Sequence, residues 1–456
     1  MKLKIRNWVA LLCSMWMSFA VSVLEGVGPI PDPLEVFGHD DKNDVIGTKW
    51  AILVAGSYGY GNYRHQADIC HAYQVLKNGG LKDENIIVFM YDDIAHNPLN
   101  PNRGIIINKP NGTDVYKGVP KDYTGDVTTA QNFYAVISGN RSALSGGSGK
   151  VVDSGPNDTI FIFYADHGSV GTISAMPVGD NVFAPDFVAV LKKKHAANSY
   201  RKMVSFPRIL PNDIDIYVTT ASNSQQSSYA FYCPGGNPSP PPEYTVCLGD
   251  LYSISWLEDS DQNDRTKETL QQQYEIVRQR TTGSAVMQYG DTNLANDFLA
   301  TYIGATPNLY ENTYSFEPST TQTTLISQRD ANLLHLHLEL EKAPKGSEEK
   351  LKAQRKLDDE IAQREHVDNV FNLIGDFLFR EKKNSMMLHR PSGQPLVDDW
   401  DCFRILVKTY ESQCGTLSTY GRKYTRAFAN MCNVGISKEQ LKVASLQACL
   451  NKNHAS

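Results

Sequence analysis

Beyond roughly its first two dozen residues, the sequence has no apolar run long enough to cross a bilayer, so no membrane-spanning class is implied. It has no positive excess either. Lys and Arg number 44 against 50 Asp and Glu, for a net charge of −6, whereas a nucleic-acid binder is ordinarily basic or carries a basic stripe. The run Lys192, Lys193, Lys194 is too short to change this and reads as a solvated helix end. His and Cys nowhere fall at metal-ligand spacing, so no metal and no cofactor are expected. The Gly-Tyr-Gly-Asn-Tyr-Arg stretch at 59–64 resembles a phosphate-binding turn only superficially. Internal repeats and low-complexity tracts are absent.

What is present is globular. The chain has 456 residues, 41% of them hydrophobic, enough for two or three domains with a well-buried core. Residues 1–24 read as a secretory signal: Lys2, Lys4 and Arg6 precede a short apolar stretch from Trp8 to Ala20, with small residues at Ala20 and Ser22. Three sequons, at Asn111, Asn140 and Asn157, agree with passage through the secretory pathway. Of the eight cysteines, Cys13 leaves with the signal. Cys233 and Cys247 flank a proline-rich loop, and Cys402, Cys414, Cys432 and Cys449 cluster near the C-terminus. In an oxidising compartment these six make three disulfides, although four clustered cysteines allow three pairings. Cys70 is the odd one, and its neighbours Ala67, Tyr73 and Val75 predict core packing.

Residues 25–48, rich in Pro, Gly and Asp, read as an extended pro-segment. From Lys49 a β/α alternation begins, with strands at 50–55, 86–91, 159–165 and 215–219 and helices near 65–77, 184–195 and 266–280. The fold class is therefore α/β, a mostly parallel sheet flanked by helices. This domain is placed at 49–300. A linker or activation region follows at 301–366, and the stretch 283–330 carries no strong periodicity. Residues 367–456 read as a separate all-α domain of four or five helices.

His167 follows the apolar strand Thr159–Ala165 almost directly. A parallel strand delivers its last residues to the carboxyl edge of the sheet, where ligands bind in open α/β folds. An imidazole there can serve as general base toward a thiol. Asn62 and Arg64 lie in the loop after the first strand, at the same edge. Around them stand the blocks WAILVAGSYGYGNYRHQADICHAY, IFIFYADHG, KKKHA, IYVTTASN and LGDLYSISWLEDSD, with PLVDDWDCF, ESQCGTLSTYG and RAFANMC near the C-terminus. Together they resemble the plant legumain, vacuolar processing enzyme or asparaginyl endopeptidase family, caspase-like cysteine peptidases made as zymogens. The likeness covers nearly all of residues 46–450, and Gln328-Arg329-Asp330 fits its plant branch.

The resemblance implies a catalytic histidine at His167, oriented by Asn62, and a substrate pocket of Arg64, Ser228 and Asp250. An asparagine side chain offers an acceptor for Arg64 and donors for Asp250. Ionised Asp would be repelled and protonated Asp tolerated at acid pH. The resemblance also implies Cys402–Cys432 and Cys414–Cys449 disulfides. The C-terminal helices would act as an inhibitory prodomain, the substrates would be proteins and peptides with Asn or Asp, and the location would be the vacuole. His65 is expected to pack rather than react.

The chain also departs from the family. A strand ending in Glu-Ala-Cys-Glu-Ser-Gly-Ser is expected between KKKHA and IYVTTASN, but residues 198–215 read NSYRKMVSFPRILPNDID. About a dozen residues are missing, and the nucleophilic cysteine is among them. Ser205 lacks flanking glycines and is followed by Phe206-Pro207, so it is not expected to replace the thiol. Lys202–Phe206 is apolar and β-compatible and is expected to fill part of the vacant strand track. Inactivity follows, with a non-catalytic binder of Asn-containing peptides as the alternative. A storage glycoprotein is disfavoured, because it would have no use for Asn62, Arg64, His167 and Asp250 together.

Overall fold

The computed structural model describes residues 47–205, 210–223, 225–305, 325–391 and 399–450. The signal and nearly all of the pro-segment fall outside them. Gly47 onward forms one compact unit.

Its centre is a six-stranded sheet in the order β10-β7-β6-β3-β1-β2. These strands are β1 (Lys49–Ala55), β2 (Ile86–Phe89), β3 (Thr159–Ala165), β6 (Lys202–Ser205), β7 (Ile216–Thr220) and β10 (Met287–Gly290). All neighbours pair in parallel except β10, which runs antiparallel to β7. The uninterrupted apolar run of β1 has a simple cause. Ala51, Leu53 and Ala55 enter one core while Ile52 and Val54 enter the other, so both faces of the strand are buried.

The first core lies under helix α1 (Tyr63–Asn78), and Cys70 is part of it. Two further helices, α4 (Leu251–Gln262) and α5 (Leu270–Arg280), pack on the same core through Trp256 and Val277. The second core lies under α2 (Ala130–Ile137) and α3 (Ala184–Ala196), whose Phe133 and Phe187 stack 5.6 Å apart. Helix α5 starts later than the sequence pattern suggests. Thr269 and Gln272 form a reciprocal capping box that sets its first turn.

Two smaller sheets sit beside the main one: the hairpin β4 (Thr172–Ala175) with β5 (Asn181–Phe183), and β11-β8-β9. In the latter, β8 (Tyr229–Phe231) pairs antiparallel with both β9 (Gly249–Asp250) and β11 (Ile326–Ser327). The stretch read as aperiodic linker thus supplies two strands. Each is too short to reveal a period, and tertiary pairing alone makes them strands.

Helix α6 (Ala331–Lys342) precedes α7 (Glu348–Phe379), whose 32 residues run without a break through position 366. Helices α8 (Trp400–Cys414), α9 (Thr425–Asn433) and α10 (Lys438–Leu450) pack with α7 around a third core that includes Phe371, Phe403 and Phe428. Disulfides join Cys402 to Cys432 and Cys414 to Cys449. This helical body rests on the β4–β5 hairpin. Phe183 belongs to its core, Arg404 pairs with Asp186, and the Phe403 ring lies directly on Gly171.

Candidate active site

β3 runs to Ala165 and carries Asp166 and His167 just past its end, at the carboxyl edge of the sheet. β1 ends at Ala55 in register with Ala165, and the following turn leads into α1, so Asn62 and Arg64 arrive beside His167. Its Nε2 lies 2.8 Å from Asn62 Oδ1. Nδ1 faces Arg64 Nη2 at 3.4 Å and also contacts Gln328 Oε1, so an amide oxygen stands at each ring nitrogen. Burial, then the charge of Arg64, hold the imidazole well below the usual histidine range. It is therefore neutral at pH 7 and a weaker base than a free imidazole.

Arg64 is 1% exposed. Its Nε donates to Asp250 Oδ1 at 2.8 Å, and Nη2 donates to the Gln328 carbonyl at 3.2 Å. Nη1 is buried and has no hydrogen-bond partner among the described residues. Asp250 sits at the end of β9, where the close approach of Gly249 to Ile254 and Asn108 leaves no room for a Cβ. The Cys233–Cys247 disulfide ties β8 to the residues leading into β9.

Ser228 immediately precedes β8, and its carbonyl accepts from Gln328 N at 3.0 Å. The arrangement is that of a peptide lying along a strand edge. The segment 326–328 continues β11 antiparallel to β8, and Gln328 sits between Arg64 and His167. Arg64, Ser228, Asp250, His167 and Asn62 thus converge on one edge.

Three contributors carry no role assigned from the sequence. Gln328 was noted only as part of a short motif. Asp68 stands one helical turn after Arg64, a spacing that could have revealed it. Its carboxyl accepts from Asp250 N at 3.3 Å, and burial, then the neighbouring Asp250, push it well above the usual range. Burial raises Asp250 as well, but the adjacent Arg64 opposes this, so Asp250 is the counter-ion of Arg64 and Asp68 the more readily protonated of the two. Asp166, adjacent to His167 in the quoted block, is pushed up to about 7 by burial.

His65 does more than pack. It lies 3.4 Å from Asp166 Oδ1 and 3.3 Å from Asp250 Oδ2, its ring is perpendicular to His167 at 4.7 Å, and burial, then Arg64, hold it neutral. His65, Asp166 and His167 are also close enough together to be weighed as cation ligands. The two imidazoles hydrogen-bond to residues outside this group: His65 Nδ1 to Ser57 Oγ at 2.5 Å, and His167 to Asn62, Arg64 and Gln328.

The thiol is missing from this edge. β6 ends at Ser205, one step past the Val204↔Phe161 pairing and therefore level with Ile162. His167 lies five residues further along, about 16 Å at roughly 3.3 Å per residue. The Ser205 hydroxyl, buried low in the sheet, cannot reach the imidazole. Cys70 is buried in the first core with its thiol pushed up to about 12 by burial, so it carries no thiolate. The strand expected at 202–206 forms over 202–205, and position 206 lies outside the described residues.

Asn111, Asn140 and Asn157 are all exposed. No helix among the described residues is long and apolar enough to cross a membrane.

Residues 49–305 match the model of the peptidase C13 family, and residues 355–449 match that of the legumain prodomain. The chain is 54% identical over 426 residues to a vacuolar-processing enzyme of Citrus sinensis, covering 90% of this chain and 86% of that one. It is 51% identical over 443 residues to a vacuolar-processing enzyme of Vicia sativa, at 92% and 90% coverage. A legumain of Canavalia ensiformis matches at 50% over 430 residues, at 89% and 90% coverage. With this likeness across both regions, the chain belongs to the peptidase C13, or legumain, family.

Proposed function

We propose that this chain is a legumain-type vacuolar processing zymogen that binds Asn-containing peptide segments and does not cleave them. The observation that carries this reading is the pairing of a complete pocket with an absent nucleophile. Arg64 presents a buried, unpartnered Nη1–H beside the Asp250 carboxylate, while no thiol stands near His167 Nδ1. An Asn side chain entering the pocket would accept from Arg64 and donate to Asp250. Protonated Asp would fit at acid pH. In an intact relative, His167 would take the thiol proton at Nδ1 while Asn62 holds Nε2–H. Without the thiol the covalent route is lost, and with it many orders of magnitude in rate.

The chain's own segment 326–328 occupies the cleft, and the C-terminal helices act as the inhibitory prodomain around it. Maturation in the vacuole, arrival through the secretory pathway and glycosylation at Asn111, Asn140 and Asn157 belong to the same reading.

The test uses the acidified full chain. An Asn-containing fluorogenic peptide should show no turnover that a thiol alkylator can abolish. In a Gln328→Pro variant, which loses the backbone donor to the Ser228 carbonyl and so loosens segment 326–328, a labelled Ala-Ala-Asn peptide should bind more tightly than Ala-Ala-Leu. Alkylator-sensitive turnover would sink the claim of inactivity, and equal binding of the two peptides would sink the pocket.

A further inference from the structure

The wall that carries Asp250 is thin. β9 has two residues, Gly249 and Asp250, and pairs with β8 through those two positions. What steadies it lies behind it. Asn108, 2% exposed, sits in the loop after β2. Its neighbour Ile107 is gripped through both N–H and carbonyl by the Tyr63 hydroxyl of α1. Asn108 Nδ2 donates to the Leu248 carbonyl and to Asp68 Oδ1, each at 2.8 Å. It stands 3.0 Å from the place a Gly249 Cβ would take. Asp68 in turn accepts from Asp250 N at 3.3 Å. Residues 248–250 are thus all met from behind by this pair.

The pair has its own support. A carbonyl can only accept, so the Leu248 contact fixes which end of the Asn108 amide carries the hydrogens. Its Oδ1 then faces His71 Nδ1 at 2.8 Å, and His71 Nε2 lies 2.9 Å from Asp261 Oδ2 of α4. His71 is buried between two acceptors and holds both when each ring nitrogen carries a hydrogen. Arg64, Asp68 and His71 stand at i, i+4 and i+7 on one face of α1. That face carries the pocket's cation, the anchor of its wall and the clamp on that anchor.

Building on the Asn-pocket reading, we propose that His71 and Asn108 are positioning residues for the pocket. His71, braced on Asp261, sets the Asn108 amide, and Asn108 with Asp68 holds residues 248–250 so that Asp250 faces Arg64 and an entering side-chain amide. Hydrogen bonds are directional and weaken steeply with misalignment, so a wall that drifts loses the amide's donors before it loses apolar contact. The effect belongs to Asn recognition and not to peptide binding in general.

The experiment has two arms at pH 5. Hydrogen exchange followed by mass spectrometry reads the wall in the otherwise unaltered full chain. His71→Phe, which keeps a ring and removes both bonds, should speed exchange over 248–250 about tenfold and leave β1 unchanged. Asp261→Asn, at a half-buried position, should speed the same segment about threefold and serves if His71→Phe does not fold. The second arm reads the pocket in the Gln328→Pro full chain. His71→Phe and Asn108→Leu should each weaken Ala-Ala-Asn about tenfold and leave Ala-Ala-Leu unchanged. Asp68→Asn, which keeps an acceptor for Asn108 and resembles the protonated acid, should stay within about twofold of its parent. Unchanged exchange at 248–250, faster exchange throughout the chain, or equal weakening of both peptides would overturn the proposal. If Gln328→Pro itself shows no preference for Asn, the pocket reading fails, and the exchange arm alone decides whether His71 and Asn108 hold the wall.

Discussion

Arg64 carries more of this site than any other residue, because it is a buried cation whose counter-ion and ligands all come from other elements. Truncating it strands Asp250 as a buried charge beside Asp68. Breaking a buried pair from one side costs about 3–5 kcal/mol. Arg64→Ala is therefore expected to lose about that much stability in urea denaturation, and Arg64→Ala with Asp250→Asn should recover more than half of it. Strict additivity of the two losses would argue against the pairing.

The titrating groups around Arg64 pull in opposite directions. Asp166, pushed up to about 7, has a folded value above its unfolded one of about 3.9. Its contribution to stability is fully present below about pH 4 and is lost as pH rises through about 7. His65 and His167 are held below their unfolded values, so their contribution is present above about pH 6.5 and is lost on acidification. Asp166→Asn should remove the first slope, which for one group approaches about 1.4 kcal/mol per pH unit. Comparing unfolding curves at pH 4, 5.5 and 7 checks this. If parent and variant differ by a constant amount, Asp166 does not titrate in this window.

At the scale of elements, the decisive one is β6. Among the described residues, which break off after Ser205, its last pairings are Val204↔Phe161 with β3 and Ser205↔Val218 with β7, while β3 itself continues to Ala165. About five more residues would bring a side chain level with His167. Inserting the family's strand with Glu-Ala-Cys-Glu-Ser-Gly-Ser after Val204 is expected to restore Asn-specific cleavage, and His167→Ala should abolish it. A repaired protein that folds and cleaves without preference for Asn would refute the assignment of Arg64, Ser228 and Asp250.

At the scale of the whole molecule, the helical body and the α/β unit meet at the β4–β5 hairpin. Gly171 has φ +73°, and a Cβ there would stand 2.6 Å from the Phe403 ring. Gly171→Ala is therefore strained twice over, by the left-handed backbone and by the ring. It should loosen the helical body from the hairpin while leaving the core of Phe371, Phe403 and Phe428 intact. Limited proteolysis should then release a compact C-terminal fragment faster than from the parent. Reducing the two helical-body disulfides, which close separations of 30 and 35 residues, should cost that fragment about 3–4 kcal/mol each in the chain-entropy account.

Long periodic segments declare themselves in sequence because their burial pattern is local. β1 and β3 read as buried strands from their short apolar runs, and α1 and the C-terminal fifth as helical from their 3.6-residue recurrence. The missing thiol is also a sequence fact, because no fold can supply an atom the chain lacks. Short pairings are not local. β10, β11 and the two-residue β9 exist only because a distant edge accepts them, and the placement of Gln328 on His167 follows from β11. The protonation states were hidden for the same reason. Asp68, Asp166 and His65 are ordinary residues in sequence, and burial beside one another, with Arg64 among them, sets which keeps a proton.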